Sequence, residues 1–278
     1  MDTIVGLGKA GCAIADKFSQ YPQYKIYKLD SEGLNKKEKN CLVLKRQDHP
    51  EKYEKSVRSM KTFFKDVTDD ILFVVSGSGC VSGACLRVLQ QLSDKNLSVL
   101  YIKPDLEFLG SINISQERLV RSVLQEYARS GVIQRVYLVD NKMIEEIIGE
   151  VPIVGYYDKL NDLIASVVHM VNVYNHQEPV HDTAFSPHET TRVSTLGMVN
   201  IDTGEEKLFF SLDSVQEKSY YYAINSKTLE TDGKLLRKLT ENINKNIDTK
   251  TTAAFQVHAT SYDANYGYVV VNTNQTGN

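Results

Sequence analysis

The sequence has few cysteines and no long apolar run, and both absences exclude classes of protein. No C-x-x-C pair occurs among its four cysteines, which are Cys12, Cys41, Cys80 and Cys85. This pattern is typical of small buried side chains in a reducing compartment. No apolar stretch approaches the ~18 residues that span a bilayer, and no secretory leader pattern precedes the first apolar segment. We therefore expect a cytoplasmic protein without membrane insertion.

Neither sign of charge dominates the sequence. The formal net charge is −3 over 278 residues, and 42% of the residues are hydrophobic, which is ordinary for a globular protein. This balance argues against direct nucleic-acid binding. The one locally basic stretch, from Lys52 to Lys65, is interpreted as the exposed face of a helix. The length allows one large domain or two smaller ones.

Strands and helices alternate over the first half of the chain. Apolar runs predict strands at 3–7, 24–29, 41–44, 71–75, 97–102 and 135–140. Helical periodicity predicts helices at 12–19, 51–64, 84–92 and 116–130. This alternation predicts an α/β fold with a Rossmann-like, largely parallel sheet and right-handed crossovers. Ligands of such sheets bind beyond the carboxyl ends of the strands.

The second half begins with a helical segment from Tyr157 to Asn175 that is apolar on nearly all sides, so we expect it to be buried on more than one side. After Pro179 the pattern predicts strands at 194–201, 207–212, 218–224, 251–261 and 266–273. The first three are expected to be antiparallel. A helix is expected at 233–247. These elements predict a smaller α+β domain.

Two glycine-rich turns follow predicted strands. The first, GLGKAG at 6–11, precedes a helix, and Asp30 ends the next strand, which is the dinucleotide-binding fingerprint. The second, GSGCVSG at 77–83, is either a tight strand-to-helix turn or a cradle of backbone amides for phosphate. A dinucleotide enzyme needs one such turn. Two turns on neighbouring strands favour a mononucleotide whose phosphates are held from two sides.

Together with three further stretches, these turns resemble the tubulin/FtsZ superfamily, most of all its short phage-encoded tubulins. The second turn resembles the motif G-G-G-T-G-[ST]-G, from which it departs at Ser78, Cys80 and Val81. YLVDN at 137–141, YDKLNDL at 157–163 and IKPDLEFLG at 102–110 resemble the guanine-contacting strand end, the start of the central helix and the ribose-side loop. The motifs stand in the family's order over nearly the whole chain.

The resemblance implies a GTP/GDP site with Mg²⁺. Asn141 and Asn161 would read the guanine edge, Tyr157 would stack on the base, and Glu107 is a weak candidate for the ribose hydroxyls. Asparagine offers both a donor and an acceptor, and Tyr157 lies on the same helix face as Asn161. The ordinary alternatives are a helix cap for Asn141 and an exposed polar position for Asn161. The residues implied around the phosphates are Gly8, Lys9, Ala10, Gly11, Cys12, Gly77, Ser78, Gly79, Cys80, Val81 and Ser82.

PVHDTAF at 179–185 resembles the family's loop after the central helix. The resemblance implies that Asp182 acts on a nucleotide bound by the next subunit; the alternative is an ordinary loop carboxylate. Asp182 lies 21 residues beyond Asn161, mostly along a helix, so ~25 Å or more separates the two. Val180 and Phe185 stand where the family has an asparagine and a second carboxylate, which puts the hydrolysis rate in doubt. The nearby histidines at 176, 181 and 188 lack the spacing of a metal site.

We therefore predict a GTP-binding and GTP-hydrolysing filament protein that polymerises head-to-tail with itself, with DNA segregation or phage positioning as possible roles. Its parts would be a nucleotide-binding domain at 1–155, a central helix at 156–177 and a C-terminal assembly domain at 178–278. A non-hydrolysing nucleotide-binding relative is one alternative, favoured by Ser78, Cys80, Val81 and Phe185. A NAD-dependent Rossmann enzyme is the other, resting on the first turn and Asp30.

Overall fold

The structure, a computed structural model, describes residues 1–35, 37–183 and 187–274. The chain divides into two units, Met1–Ala165 and Ser166–Asn278. The border falls inside one continuous helix, which begins in the first unit and ends in the second. Among the described helices, none is long and apolar enough to cross a membrane.

The first unit contains a six-stranded parallel sheet. Its strands are β1 (Thr3–Leu7), β2 (Lys25–Asp30), β3 (Cys41–Val43), β4 (Asp70–Ser76), β5 (Asn96–Lys103) and β6 (Arg135–Asp140). They lie in the order β3-β2-β1-β4-β5-β6. The central strands are continuous apolar runs because both faces of a parallel sheet are covered by helices. The predicted α/β fold is confirmed, and the strand order reverses direction between β1 and β4.

Over its described residues, this unit contains six helices wholly or in part. They are α1 (Gly8–Lys17), α2 (Pro50–Ser56), α3 (Cys85–Gln90), α4 (Ser111–Arg129), α5 (Asn141–Ile148) and α6 (Tyr156–Tyr174). The helical segment predicted from Tyr157 to Asn175 thus agrees to within one residue at each end, whereas the part assigned as central helix, 156–177, extends three residues beyond Tyr174. Short 3-10 turns occupy Phe18–Gln20, Cys80–Ala84 and Leu106–Phe108.

Four helix predictions in this unit are wrong in extent. Helices α1 and α4 begin at Gly8 and Ser111, four and five residues before their predicted starts at 12 and 116. The helix expected at 51–64 ends at Ser56, because the aromatic rings of Phe63 and Phe64 leave the helical path to pack on Tyr27. The helix expected at 84–92 is α3, six residues long, preceded by the 3-10 turn at 80–84. Gly83 in this turn lies against the Pro50 carbonyl, which a Cβ atom would approach to 2.0 Å.

The second unit contains a mixed parallel and antiparallel sheet and, after the end of α6, two further helices in its described residues. Its strands are β7 (His181–Asp182), β8 (Val193–Val199), β9 (Glu206–Leu208), β10 (Glu217–Asn225), β11 (Thr252–Thr260) and β12 (Tyr266–Thr273), and its helices are α7 (Ser226–Thr231) and α8 (Leu235–Lys245). The strand order is β8-β12-β10-β11-β7, with β9 paired to β8.

Two features of this unit differ from the sequence prediction, and one was not predicted. The unpredicted feature is that the sheet is mixed, because α7 and α8 form a crossover that returns β11 parallel to β10. The strand predicted at 207–212 is shorter and covers Glu206–Leu208. The segment predicted as a loop at 179–185 contains the edge strand β7, which pairs antiparallel with β11. Strands β8 and β9 are antiparallel, as expected.

Helix α8 holds this unit together through one apolar stripe. Leu235, Leu239 and Ile243 recur at every fourth position and are buried in a cluster with the β10 side chains Tyr220 and Tyr222. Leu236, the next residue in sequence after Leu235, is 50% exposed, whereas Leu239 is 1% exposed. The helix therefore contacts the sheet with one face only.

The contrast between these leucines is testable. We expect Leu239→Ala to lower the free energy of unfolding by about 2–5 kcal/mol, because it leaves a cavity in the core. The matched control Leu236→Ala should change it by about 0.5 kcal/mol or less. Urea unfolding followed by circular dichroism measures both. Equal effects would mean that α8 packs through a different face.

Candidate nucleotide site

The two glycine-rich turns follow neighbouring strands at the carboxyl ends of the parallel sheet, which we call the sheet edge. β1 and β4 pair in register, with Leu7 opposite Val75. Residues 8–11 follow β1 and residues 77–82 follow β4, so both turns begin at the same height. We call residues 8–11 the first turn and residues 77–82 the phosphate loop. β5 and β6 end at this edge as well, with Lys103 opposite Asp140.

The first turn is the beginning of helix α1. The N–H groups of Gly8, Lys9, Ala10 and Gly11 are the first four of the helix and have no partner within it. No side chain caps this end, and no acidic residue lies in its first turn. Gly8 has a φ of +72°, which favours glycine. The arrangement leaves amide donors and a positive helix end at the sheet edge.

Two glycines of the first motif bring α1 close to the sheet. A Cβ atom on Gly11 would lie 2.3 Å from the carbonyl oxygen of Val74, and one on Gly6 would lie 2.4 Å from that of Gly11. The two turns also meet each other, since a Cβ on Gly8 would lie 3.8 Å from Cβ of Val81. The motif therefore packs backbone on backbone, and Val81 stands at the point where the turns converge.

The phosphate loop is closed from within by Ser82. Its buried hydroxyl donates to the carbonyl oxygens of Gly77 (2.9 Å) and Gly79 (2.6 Å). Gly79 is exposed, and a Cβ there would meet nothing within 4 Å, while its φ of −84° suits any residue. Neither packing nor backbone conformation requires glycine at this position. Close approach of a ligand is one physical reason for glycine here.

The departures from the family motif cause no backbone strain in this loop. Among described residues other than glycine, a positive φ occurs at Asn40 and Ser214 but not at Val81. Ser78 is half-buried and Cys80 is exposed. The prediction that the cysteines are buried is correct for Cys12 and Cys85 and wrong for Cys80, while Cys41 is half-buried.

Cys12 is a neutral packing residue in α1. Burial raises the pKa of its thiol to about 12, and the thiol donates to the carbonyl oxygens of Gly6 (3.4 Å) and Leu29 (3.5 Å). These contacts hold the first turn on the side of β1 and β2, and the predicted role of Cys12 at the phosphates stays a prediction. Asp30 forms a local hydrogen bond: its carboxylate accepts from the Ser31 N–H at 2.7 Å, and burial raises the pKa of this carboxylate.

Asn141 begins α5 at the same sheet edge. The preceding residue, Asp140, caps the helix by accepting from the N–H of Lys142, and its other oxygen binds Lys103 at 2.6 Å. Asn141 is therefore not the cap, which was its ordinary alternative. Its Oδ1 is buried and has no hydrogen-bond partner in the part of the chain that the structure describes. Such an orphaned acceptor calls for an explanation, and a bound ligand supplies one.

Helix α6 presents the other predicted base contacts. Tyr157 is 63% exposed, and Asn161, one turn later, is buried at 8% exposure. Lys17 of α1 binds Asp158 (3.2 Å) and Asp162 (3.0 Å). Each aspartate directly follows Tyr157 or Asn161 in α6, so the aspartates form the neighbouring stripe of the helix. These hydrogen bonds raise the pKa of Lys17. The pairs connect α1 to the start of α6, although the aspartates are more than half exposed and such pairs add little stability.

Glu107 lies in the segment after β5, and Lys142 of α5 binds its carboxylate at 2.7 Å. This hydrogen bond lowers the pKa of Glu107. The pair joins the ribose-side segment to the helix that begins with Asn141. Tyr156 adds a second link, because its hydroxyl donates to Glu145 of α5 at 2.7 Å. Helix α5 thus connects Glu107, the predicted ribose contact, with Asn141 at its own start and with the start of α6 at Tyr156.

Sequence reasoning missed the segment that leads into α2. The Asp48 carbonyl lies 4.0 Å from the Cys80 thiol, and Lys52 binds the Asp48 carboxylate at 2.8 Å and lowers its pKa. Together with the contact of Gly83 on Pro50, this places residues 48–50 beside the phosphate loop. The available signal was Pro50, which favours the first position of a helix and which the prediction did not use.

Asp182 belongs to the second unit and is not part of this sheet edge. It is exposed on the edge strand β7, opposite Gln256 of β11. Phe185, the expected replacement of a second carboxylate, lies outside the described residues. In the described ranges no three His, Cys, Asp or Glu side chains are grouped as a metal site would require. His176 instead contacts the Asn172 carbonyl at 2.7 Å.

Comparisons with known proteins agree with this architecture. No protein-family model matches the chain, and no curated protein sequence matches it significantly. Solved structures do match. An FtsZ dimer from M. jannaschii has a TM-score of 0.71 at 10% identity, covering 98% of this chain and 87% of that one. CetZ2 from Haloferax volcanii, a GTPγS-bound protofilament, has a TM-score of 0.71 at 14% identity, covering 98% and 92%.

A third structure, the GTPγS-form protofilament of TubZ from Bacillus thuringiensis serovar israelensis, has a TM-score of 0.70 at 14% identity, covering 97% and 86%. The chain therefore has the tubulin/FtsZ fold over nearly its whole length, and the predicted resemblance to that superfamily is confirmed at the level of the fold. A specific likeness to phage tubulins stays a prediction.

The open space at Gly79 yields a test of the site. Gly79→Ala should leave the free energy of unfolding unchanged or raise it by about 0.4–1 kcal/mol, because the backbone there suits alanine. It should weaken GTP binding roughly tenfold, since the methyl group occupies the ligand's side of the loop. Gly233→Ala is the control, because a Cβ at Gly233 also meets nothing within 4 Å. Unchanged GTP affinity in Gly79→Ala, measured by calorimetry, would remove the ligand explanation for this glycine.

Proposed function

We propose that this protein binds GTP at the edge formed by β1, β4, β5 and β6. The observation that carries the proposal is that the two glycine-rich turns meet at Gly8 and Val81. The buried Oδ1 of Asn141, which lacks a hydrogen-bond partner among the described residues, lies at the end of β6, two strands from β4. Phosphate suits the free amides at the start of α1. The GTPγS and GDP forms named for the TubZ and CetZ structures support guanine nucleotide as the ligand.

Base choice would rest on the two asparagines. Guanine offers donors at N1 and N2 and acceptors at O6 and N7, and each asparagine can supply both partners. Tyr157, exposed beside Asn161, offers a flat ring for stacking. A site whose buried polar groups match guanine leaves them unpaired with adenine, so ATP is rejected.

Asn141→Ala tests this base readout. We expect GTP affinity to fall by on the order of 1–3 kcal/mol, because a buried hydrogen bond to the base is lost. The unmutated protein should bind ATP roughly 100-fold or more weakly than GTP, and Asn141→Ala should narrow that gap. Asn96→Ala, at the opposite end of β5, is the control. Equal affinity of the unmutated protein for GTP and ATP would contradict a guanine site; NAD binding would favour the dehydrogenase alternative.

We further propose slow, Mg²⁺-assisted GTP hydrolysis. The amides of the first turn and the phosphate loop would stabilise the charge that develops on the phosphates. Asp48 is one acidic residue near this loop, because its backbone carbonyl lies 4.0 Å from the Cys80 thiol, and Lys52 lowers the pKa of its carboxylate. That carboxylate would be a candidate for an ion that is bound mainly by phosphates and water. Mg²⁺ would neutralise phosphate charge there. Asp182 would orient or deprotonate the attacking water.

Head-to-tail self-assembly would bring these parts together. The binding residues all lie in the first unit, and Asp182 lies in the second, so we propose that Asp182 serves the nucleotide of another chain. Apolar side chains exposed around the sheet edge support a docking surface there: Phe108 is 77% exposed, Ile153 95% and Val154 92%. A heterologous contact of this kind propagates into a filament.

The matching structures support assembly and a role. Several of them are named as protofilaments, and one TubZ structure is described as a type III plasmid segregation protein. We propose filament formation by copies of this chain, with DNA segregation or phage positioning as the cellular task. A soluble filament protein also agrees with the predicted cytoplasmic location.

Asp182→Ala separates binding from turnover. We expect this variant to bind GTP normally and to assemble, but to hydrolyse GTP at least roughly tenfold more slowly, because the water is no longer oriented. Glu178→Ala, an exposed acidic neighbour outside β7, should retain turnover. Phosphate release and pelleting of filaments give the two readouts.

A mixing experiment tests whether the site is shared between chains. Asp182→Ala is combined with Asn141→Ala, each nearly inactive alone at low GTP concentration. Turnover recovered in the mixture shows that Asp182 of one chain acts on GTP held by another. Turnover that is strictly proportional to protein concentration in the unmutated protein, or that survives the loss of Asp182, contradicts the shared site.

A second candidate function is GTP binding without efficient hydrolysis. The position of Val81 favours it, because its branched side chain occupies the point where the two turns converge on Gly8. The family motif has glycine there. The same turnover assay decides between the two functions.

A further inference from the structure

The phosphate loop rests on a buried polar group that the proposed function does not use. A Cβ atom on Gly77 would lie 2.1 Å from the hydroxyl of Tyr101 in β5 and 3.2 Å from Cα of Glu117 in α4. The loop therefore begins in direct contact with this hydroxyl. Only glycine leaves room for it.

Tyr101 is itself held in place by α4. Its hydroxyl donates to Glu117, whose Oε1 and carbonyl oxygen each lie 3.1 Å away, and Arg121 Nε donates to the same Oε1 at 2.9 Å. Glu117 is 0% exposed, Tyr101 0% and Arg121 7%. Burial raises the pKa of Tyr101, so its hydroxyl keeps its proton and remains a donor.

Stability alone does not account for this group. A buried ion pair is often no better than apolar side chains of the same size. Glu117 Oε2 also has no hydrogen-bond partner among the residues that the structure describes, which is costly in a buried carboxylate. Geometry is what the group provides: it fixes one hydroxyl at one place under the loop.

Helix α4 contacts the loop at its other end too. Gln116, the neighbour of Glu117, donates to the Ser82 hydroxyl at 3.4 Å, and that hydroxyl closes the loop on Gly77 and Gly79. The two ends of the phosphate loop are thus held by consecutive residues of one helix. That helix begins at Ser111, directly after the ribose-side segment.

We propose that Tyr101, held by Glu117 and Arg121, is a positioning residue that sets the path of the phosphate loop through contact with Gly77. This inference rests on the proposed GTP site for the identity of the ligand. The contact itself is measurable without any nucleotide.

The test uses Gly77→Ala, Tyr101→Phe and the double variant. For thiol labelling each also carries Cys41→Ser and Cys80→Ser, whereas GTP and guanosine affinities are measured with all four cysteines in place. The remaining thiols, Cys12 and Cys85, are both buried, and burial raises the pKa of each to about 12. Cys85 directly follows the loop turn and reports its opening, whereas Cys12 reports opening of α1. Thiol labelling followed by mass spectrometry resolves the two.

We expect Gly77→Ala to raise Cys85 labelling roughly tenfold over Cys12 labelling and to lower GTP affinity to a similar degree, with guanosine affinity unchanged. Tyr101→Phe alone should also raise Cys85 labelling and lower GTP affinity, because the loop loses the hydroxyl that supports Gly77. In the double variant both should recover, because the new methyl group takes the place of the missing hydroxyl and its nearest neighbour is then the ring carbon at 3.1 Å. If Gly77→Ala alone does not fold, recovery of folded protein in the double variant supports the contact.

The proposal is overturned if the double variant behaves like Gly77→Ala, or if Gly77→Ala changes neither Cys85 labelling nor GTP binding. Equal loss of guanosine and GTP affinity would also overturn it, since that indicates general disruption. Failure of the unmutated protein to bind GTP refutes the proposed function instead, and leaves the labelling result to decide the contact by itself.

Discussion

The candidate site depends on the register between β1 and β4. Both strands are apolar on both faces, so side-chain alternation does not fix their relative position. The backbone contact of Gly11 with the Val74 carbonyl does. A slip of two residues would move the turns apart by ~7 Å along the strands. The contact of Gly11 therefore helps to place the two glycine-rich turns side by side.

The glycines of the two motifs serve different purposes. At Gly6, Gly11, Gly77 and Gly83 the space of a side chain is already filled by backbone or by Tyr101. At Gly79 that space is open, and at Gly8 the backbone conformation requires glycine. A glycine-rich motif thus indicates close packing first and a ligand second. An open glycine such as Gly79 suggests a ligand only together with its place at the sheet edge, since Gly233 is equally open.

Local sequence patterns predicted the parts of the fold that local forces decide. The strands at 135–140 and 266–273 and the helix from Tyr156 were found because apolar runs and helical periodicity are visible in the sequence. The end of α2 was missed because Phe63 and Phe64 leave the helix for Tyr27, a contact across 36 residues or more. The parallel pairing of β10 with β11 depends on the crossover through α7 and α8, which periodicity does not reveal.

The same limit applies to the site. Asn141, Tyr157 and Asn161 were predicted by resemblance, and the structure adds the orphaned Oδ1 of Asn141 as independent support for that position. The group of Tyr101, Glu117 and Arg121 has no motif. It exists only because β5 and α4 meet beneath the phosphate loop, so tertiary structure alone reveals it.

The division of residues between the two units gives the proposed function its logic. The first unit contains the two turns, Asn141 and Asn161, and the exposed apolar side chains of Phe108, Ile153 and Val154. The second unit contains Asp182 on β7, the last strand of its described sheet. A short edge strand fixes the direction of Asp182 through its pairing with Gln256, yet leaves the side chain exposed to a partner. If each chain contributes a binding half and a reactive half, an isolated chain lacks a complete site. Assembly then controls turnover without any further regulatory element.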